Sequence, residues 1–182
     1  MTTAADLRIA EVDAPSPRAE DGALVLDWWV DLACPDVAGS VEIVESLRES
    51  FDDRLSVRVR HFPLVVHVWA VAAAQCHLEA VAQGRGTEYL AHALAMLDDV
   101  EGPADYVELA EHLGLDADEV AMALLDGRHA GAVRDDADEG RVLGVGSTPT
   151  FVVDGLLVDA GRTLEGAEQA LRDRISTALA AP

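Results

Sequence analysis

The sequence predicts an α/β fold in which a βαβ unit is followed by a block of helices, a β-hairpin and a closing helix. Two observations lead to this prediction. Residues 23–31 and residues 55–60 are predicted strands on either side of a helix that begins at Pro35, and this order favours a parallel pair. The dipeptide Asp154-Gly155 stands between two apolar runs, which is the strongest short-range signal for a hairpin. We therefore expect helices to cover both faces of a small mixed sheet.

The first strand, the first helix and the second strand are each predicted from their own side-chain pattern. Residues 23–31 are mostly branched and aromatic, which is typical of a buried strand. From Pro35 to about Phe51 apolar residues recur at helical spacing, and proline suits the first helical turn because an N–H there would be unpaired anyway. Residues 55–60 alternate between apolar and polar side chains, which is the pattern of a half-buried strand.

The rest of the chain divides into a helical block and a mixed C-terminal part. Residues 67–143 predict four or five helices. Asp116 and Glu119 form a capping-box pattern that predicts the start of one of them. Gly84 and Gly86 are expected to end one helix. Pro103 is expected to begin another helix, and Gly114 is expected to end it. The predicted hairpin follows, and an amphipathic helix is predicted from about residue 163 to residue 179.

A length of 182 residues is appropriate for one domain with a substantial core. We expect residues 1–22 to form an N-terminal extension with at most an edge strand. Residues 23–66 and 144–182 should form the α/β core, and residues 67–143 should be a helical insertion between its two halves.

The charge of the chain excludes several classes of partner. Acidic residues outnumber basic ones by 34 to 13, which leaves a formal charge of −21 at pH 7. Such a surface repels nucleic-acid phosphates and anionic lipid head groups, so we expect neither nucleic acid nor a membrane as a partner. The acidic run at Asp135-Asp136 is expected to be a solvated face. The first residues lack a signal-peptide pattern, so we expect a cytoplasmic location, while the oligomeric state is not indicated.

Cys34 lies where the first predicted strand ends and the first long helix begins. A sulfur at this position is close to unpaired backbone N–H groups and to the positive end of the helix dipole, and both favour the thiolate. Asp36 opposes this effect with a like charge. Position alone does not decide between a reactive thiol and a small apolar side chain at the end of a strand.

A second candidate segment is Ser147-Thr148-Pro149, directly before the predicted strand at residue 150. A proline that follows threonine at such a place is well positioned for a cis peptide bond. The turn would leave backbone groups of Thr148 facing the Cys34 sulfur, ready to pair with a partner. The alternative is an ordinary proline at the start of a strand.

Four motifs occur in order along the chain. The first is Asp31-Leu32-Ala33-Cys34-Pro35, the second is Arg60-His61-Phe62-Pro63-Leu64 with His67 and Ala70, and the third spans residues 109–115. The most specific is Gly144-Val145-x-x-Thr148-Pro149-Thr150-Phe151-x-Val153-Asp154-Gly155. Together, from about Leu24 to Gly161, they resemble the DsbA-like branch of the thioredoxin superfamily. The resemblance implies a thioredoxin-like core with an all-helical insertion, and thiol-disulfide oxidoreductase chemistry.

The sequence departs from this family at the position of the second active-site cysteine. The family motif is Cys-x-x-Cys, but Val37 stands where the resolving thiol belongs. We therefore expect a thiol-disulfide oxidoreductase that acts through Cys34 alone, by mixed-disulfide chemistry with a protein or a low-molecular-weight thiol. Cys34, Thr148 and Pro149 are the predicted catalytic residues. The predicted partner-binding residues are Pro35, Asp36, Val37 and Ser147.

Two other functions are compatible with the same sequence. One is a binding or chaperone-like module of the same fold that has lost redox activity, which the missing second cysteine favours. The other is a glutathione-dependent transferase or isomerase like the kappa-class relatives of this fold. No bound cofactor is predicted, although a low-molecular-weight thiol would serve as a co-substrate.

The second cysteine and the histidines are assigned no chemistry. Cys76 lies in an alanine-rich helical run and is expected to be an inert core cysteine. No metal site is predicted, because the histidines form no metal-binding pattern with each other or with the two cysteines. We expect the histidines to be exposed or partly buried. They are His61, His67, His77, His92, His112 and His129.

Overall fold

The structure, a computed structural model, describes Ala19, residues 22–158 and residues 163–180. The edge strand considered within residues 1–22 lies outside the described part of the chain. The strands are β1 (Leu24–Val30), β2 (Leu55–His61), β3 (Thr150–Val153) and β4 (Leu156–Val158). The α-helices are α1 (Pro35–Phe51), α2 (Ala70–Ala82), α3 (Gly86–Ala95), α4 (Pro103–His112), α5 (Ala117–Asp126), α6 (Ala130–Leu143) and α7 (Leu164–Ala180).

The four strands form one mixed sheet in the order β2-β1-β3-β4. Strands β1 and β2 are parallel, with Leu24 opposite Leu55, and α1 connects them as the βαβ prediction requires. Strand β3 is antiparallel to both β1 and β4. Asp154 and Gly155 turn the hairpin with positive φ angles of 54° and 72°, which suits the tight turns that connect twisted strands.

Five α-helices lie between β2 and β3 within the described chain, in agreement with the predicted helical block. Pro103 begins α4, and the Asp116 side chain caps α5 by accepting a hydrogen bond from the Glu119 amide at 3.1 Å. The prediction for Gly86 was wrong, because this residue begins α3 and only Gly84 ends a helix. A glycine is needed at position 86 for space, since a Cβ there would lie 2.3 Å from Cγ2 of Val81.

Every side chain of β1 is buried, and alternate residues face two apolar cores. Trp28 belongs to the larger core, together with side chains from α1, α7 and α2. Trp29 faces the opposite side and packs with Phe62 and α6. Gly140 of α6 lies against these two rings so closely that a Cβ would be 3.0 Å from each of them. As predicted, one tryptophan is in the core and the other lies under the insertion.

Polar contacts attach α6 to β2. Arg60 forms ion pairs with Asp136 at 3.0 Å and with Glu139, and Asp136 also accepts a hydrogen bond from the His61 amide at 2.9 Å. The expectation that the acidic run at 135–136 is simply a solvated face was therefore wrong for Asp136. Its carboxylate is directed at the sheet because the end of β2 offers both a guanidinium and an unpaired N–H.

Within the described residues, no helix has the length and apolar character that crossing a bilayer requires.

Candidate active site

Cys34 is the N-cap residue of α1, and Pro35 occupies the first turn as predicted. The backbone of Cys34 is extended, with φ −99° and ψ 120°. Its N–H donates to the carbonyl of Asp31 at 3.0 Å, and its carbonyl accepts from the Val37 amide at 3.1 Å. The Cys34 side chain therefore lies at the N-terminal end of α1, where the helix dipole is positive.

The Cys34 thiol faces the turn before β3, 114 residues away in sequence. The Thr148–Pro149 peptide bond is cis, the isomer that the sequence predicts. The Thr148 carbonyl accepts a hydrogen bond from the Cys34 thiol, with Sγ 3.6 Å from the oxygen. Ser147 is exposed, and its carbonyl accepts a hydrogen bond from Oγ1 of Thr150 at 2.7 Å. The fold thus brings together the two segments that the sequence singled out.

The predicted partner-binding residues differ in their access to solvent. Pro35 and Asp36 are exposed beside the thiol, as is Ser147 across the site. Val37 does not fit the expectation, because its side chain is completely buried in the larger core and offers a partner no surface. Cys34 itself is 5% exposed.

Asp31 belongs to the motif that precedes the helix start, but its sequence position predicts no role for it. Its side chain is completely buried. The Oδ1 atom accepts a hydrogen bond from the Ala33 amide at 2.8 Å, and Oδ2 accepts one from the Leu64 amide at 2.8 Å. One carboxylate therefore joins the segment before Cys34 to the segment after β2.

His67 is the second residue whose role sequence reasoning missed. Its Nδ1 atom lies 2.7 Å from Oδ2 of Asp31, and its side chain is 22% exposed. A signal was present, since Asp31 precedes Cys34 by three positions and His67 follows Leu64 by three positions. The two spacings are uninformative until the parallel pairing of β1 and β2 places both segments at the same edge of the sheet.

Cys76 is completely buried, which confirms the prediction of a core cysteine. Burial raises the pKa of its thiol to about 12, partly opposed by a hydrogen bond with Tyr89. Such a thiol is un-ionised at neutral pH and is a poor nucleophile.

The prediction of exposed or partly buried histidines was wrong for two of them. His61 and His77 are only 1% and 3% exposed, respectively, and their rings share a hydrogen bond of 2.9 Å between Nε2 of His61 and Nδ1 of His77. Neutral imidazoles tolerate burial when each finds such a partner. Among the described residues no three metal-ligating side chains form a cluster.

Residues 67–172, more than half of the chain, match the family of DSBA-like thioredoxin domains. The chain belongs to this family. Three solved structures show the same fold. A thioredoxin-like oxidoreductase from Silicibacter pomeroyi DSS-3 is 20% identical, with a TM-score of 0.75 over 93% of this chain and 92% of that one. BdbD from Bacillus subtilis, in its oxidised form, is 16% identical, with a TM-score of 0.76 over 90% and 91%.

DsbA from Pseudomonas aeruginosa is 17% identical to this DSBA-like domain, with a TM-score of 0.72 over 94% of this chain and 92% of that one. These likenesses confirm the predicted fold, a thioredoxin-like core with a helical insertion. At these sequence identities the similarity shows the fold alone, and it says nothing about which partners this domain binds.

Two curated relatives are more similar in sequence. The first is a protein of Salinispora tropica named Na(+)/H(+) antiporter NhaA 3, 38% identical over 70% of this chain and 19% of the relative. Na(+)/H(+) antiporter NhaA 1 of Mycobacterium sp. strain KMS is 36% identical over 74% of this chain and 22% of the relative. The chain thus spans about a fifth of the length of these relatives.

Proposed function

We propose that this domain is a thiol-disulfide oxidoreductase that acts through the single cysteine Cys34. The observation that carries the proposal is the position of Cys34 Sγ, which lies at the N-terminus of α1 and 3.6 Å from the Thr148 carbonyl oxygen. The helix start supplies the electrostatic setting for a thiolate, and the exposed Pro35 and Ser147 supply surface for a partner on both sides of the sulfur.

The absence of a second thiol decides which reactions this site can complete. Cys34 can attack a disulfide and form a mixed disulfide, because that step needs one thiolate only. Val37 cannot release the bound partner, and Cys76 is buried with a pKa raised to about 12. A second thiol, from a protein or a small molecule, must therefore resolve the mixed disulfide. We propose such a thiol as the co-substrate and no bound cofactor.

Mixed-disulfide formation at Cys34 tests the proposal directly. The reduced protein is incubated with glutathione disulfide at pH 7, and its intact mass is followed with time. We expect one glutathione adduct on the wild-type protein and on Cys76→Ser, which is the matched control, and none on Cys34→Ser. An adduct that persists in Cys34→Ser, or a wild-type thiol that stays unmodified after hours at millimolar glutathione disulfide, contradicts the proposal.

A second candidate, a binding module without redox turnover, is favoured by two observations. Cys34 is only 5% exposed, and buried Val37 fills the place of the resolving thiol. The two functions are separated by the variant Cys34→Ala, since partner binding that survives this change favours the binding module. The kappa-class-like transferase stays a prediction.

The cytoplasmic location likewise stays a prediction.

A further inference from the structure

Asp31 and His67 form a carboxylate–imidazole pair beside the Cys34 segment, with Oδ2 and Nδ1 2.7 Å apart. An ionised carboxylate can only accept hydrogen bonds, so the ring nitrogen that faces it must carry a proton. In the neutral imidazole this leaves the lone pair on Nε2. The Nε2 atom makes no hydrogen bond with a described residue, and the ring is partly exposed. The pair therefore presents a free proton acceptor to solvent, on a carboxylate that is also bonded to the segment before Cys34.

The same carboxylate connects this imidazole to the nucleophile. Oδ1 of Asp31 accepts the amide hydrogen of Ala33, the residue immediately before Cys34. Tyr106 of α4 also interacts with Asp31 through its charge. Its pKa is raised to about 12, by burial first and then by the charges of Asp31, Cys76 and Asp105. At neutral pH the Tyr106 hydroxyl is un-ionised, so His67 is the proton acceptor that this pair offers a partner.

A monothiol site creates a need for a base of this kind. A free thiol ionises near pH 8.5, so only a few per cent of an incoming thiol is thiolate at pH 7. A base with a pKa near the working pH is the most effective proton acceptor, and imidazole has this property. In a Cys-x-x-Cys site the resolving thiol is part of the protein, whereas here Val37 takes its place and the resolving thiol arrives from solution.

We propose that His67 is the general base that takes the proton from the incoming thiol, and that Asp31 is the positioning residue that orients its ring. The proposal rests on the proposed function and adds the resolving step to it. In the first step the Cys34 thiolate attacks a disulfide R–S–S–R′, the Cys34–S–S–R bond forms, and R′S⁻ leaves. In the second step R″SH gives its proton to Nε2 of His67. The resulting R″S⁻ attacks the mixed-disulfide sulfur that carries R, and the bond from that sulfur to Cys34 Sγ breaks. The products are R″–S–S–R and the Cys34 thiolate, and the proton on His67 passes to R′S⁻ through solvent. No net oxidation occurs.

The variant His67→Gln tests this step, because glutamine can still donate a hydrogen bond to Asp31 but cannot accept a proton at pH 7. His112→Gln, which replaces an exposed histidine of α4, is the matched control. Each protein is converted to its Cys34–glutathione adduct. Release of glutathione by 2-mercaptoethanol is then followed by intact mass after acid quenching, at pH values from 6 to 10. The rate at which iodoacetamide alkylates the reduced Cys34 is measured in parallel, because that reaction requires no incoming thiol.

We expect His67→Gln to slow release at pH 7 by about 10- to 30-fold, because a few per cent of the incoming thiol is already thiolate at that pH, and to leave alkylation within about twofold. The two release rates should converge near pH 10, where the incoming thiol is ionised without help, and added imidazole should restore the rate at pH 7. A merely structural role would slow alkylation and release by the same factor at every pH, and that outcome overturns the proposal. Equal release rates at pH 7 also overturn it while leaving the proposed function intact. If wild-type Cys34 forms no adduct, the proposed function fails and the role of His67 fails with it.

Discussion

Mild acid should destabilise this fold through the buried pair of His61 and His77. Burial lowers the pKa of His77 from 6.5 to about 4, partly opposed by a hydrogen bond to the Gly86 backbone. The pKa of His61 is also well below its usual range, because of burial first and then the charges of His77 and Arg60. The two rings join β2 of the core to α2 of the insertion, so a proton on either one places a charge inside that interface.

The sign and size of the effect follow from the linkage between proton binding and folding. The folded pKa lies below the unfolded value, so the unfolded chain takes up the proton first as the pH falls. Stability is unaffected well above pH 6.5 and is lost between pH 6.5 and pH 4. With these two values His77 alone costs about 2 kcal/mol at pH 5 and at most about 3 kcal/mol in stronger acid. His61 changes the stability in the same direction.

Urea unfolding at pH 7 and pH 5 measures this loss. We compare the wild type with His77→Gln, which keeps hydrogen-bonding groups but does not titrate, and with the exposed control His112→Gln. Carboxylates contribute equally to all three proteins. The decrease in unfolding free energy between the two pH values should therefore be about 2 kcal/mol smaller in His77→Gln than in the other two. Equal decreases in all three proteins would refute the assignment of acid sensitivity to this pair.

Two further changes test the site and the packing of the insertion. Val37→Cys should restore an internal disulfide with Cys34, seen as a loss of two hydrogens in the non-reduced intact mass, and should allow insulin reduction without an external resolving thiol. A variant that stays a dithiol under oxidising conditions would contradict the inferred geometry. Gly140→Ala should lower the unfolding free energy by about 1–3 kcal/mol, because its Cβ has no room against Trp29. Gly131→Ala in the same helix is the control, because a Cβ at position 131 meets open space, and it should raise the unfolding free energy by up to about 1 kcal/mol. Equal urea midpoints for these two variants would show that α6 does not pack tightly against the sheet.

Much of the fold could be predicted because it depends on local patterns. The alternation at residues 55–60 predicted β2, and Asp154-Gly155 predicted the hairpin, since turn and strand preferences act over a few residues. The breaks between helices were less certain. Gly86 was expected to end a helix because glycine commonly does so, but its actual role is to avoid a clash with Val81.

The candidate site was predictable only in part. Cys34 and Thr148 could be predicted as site residues because each lies at the boundary of a predicted element. The fold then places Sγ of Cys34 3.6 Å from the carbonyl oxygen of Thr148. Asp31 and His67 lie in equally visible motifs, yet no local pattern shows that a carboxylate will meet an imidazole 36 residues away.

What the sequence determined by itself was the order of strands and helices and the placement of a cysteine, with valine three positions later, at the start of the first long helix, because residue identity and short-range periodicity carry that information. Only the tertiary structure decided which polar side chains are buried in contact with each other. The parallel pairing of β1 with β2 brings Asp31 to His67, and the docking of α2 brings His77 to His61. Hydrogen bonds between side chains act over about 3 Å, so such pairs exist only once distant segments have been packed against each other.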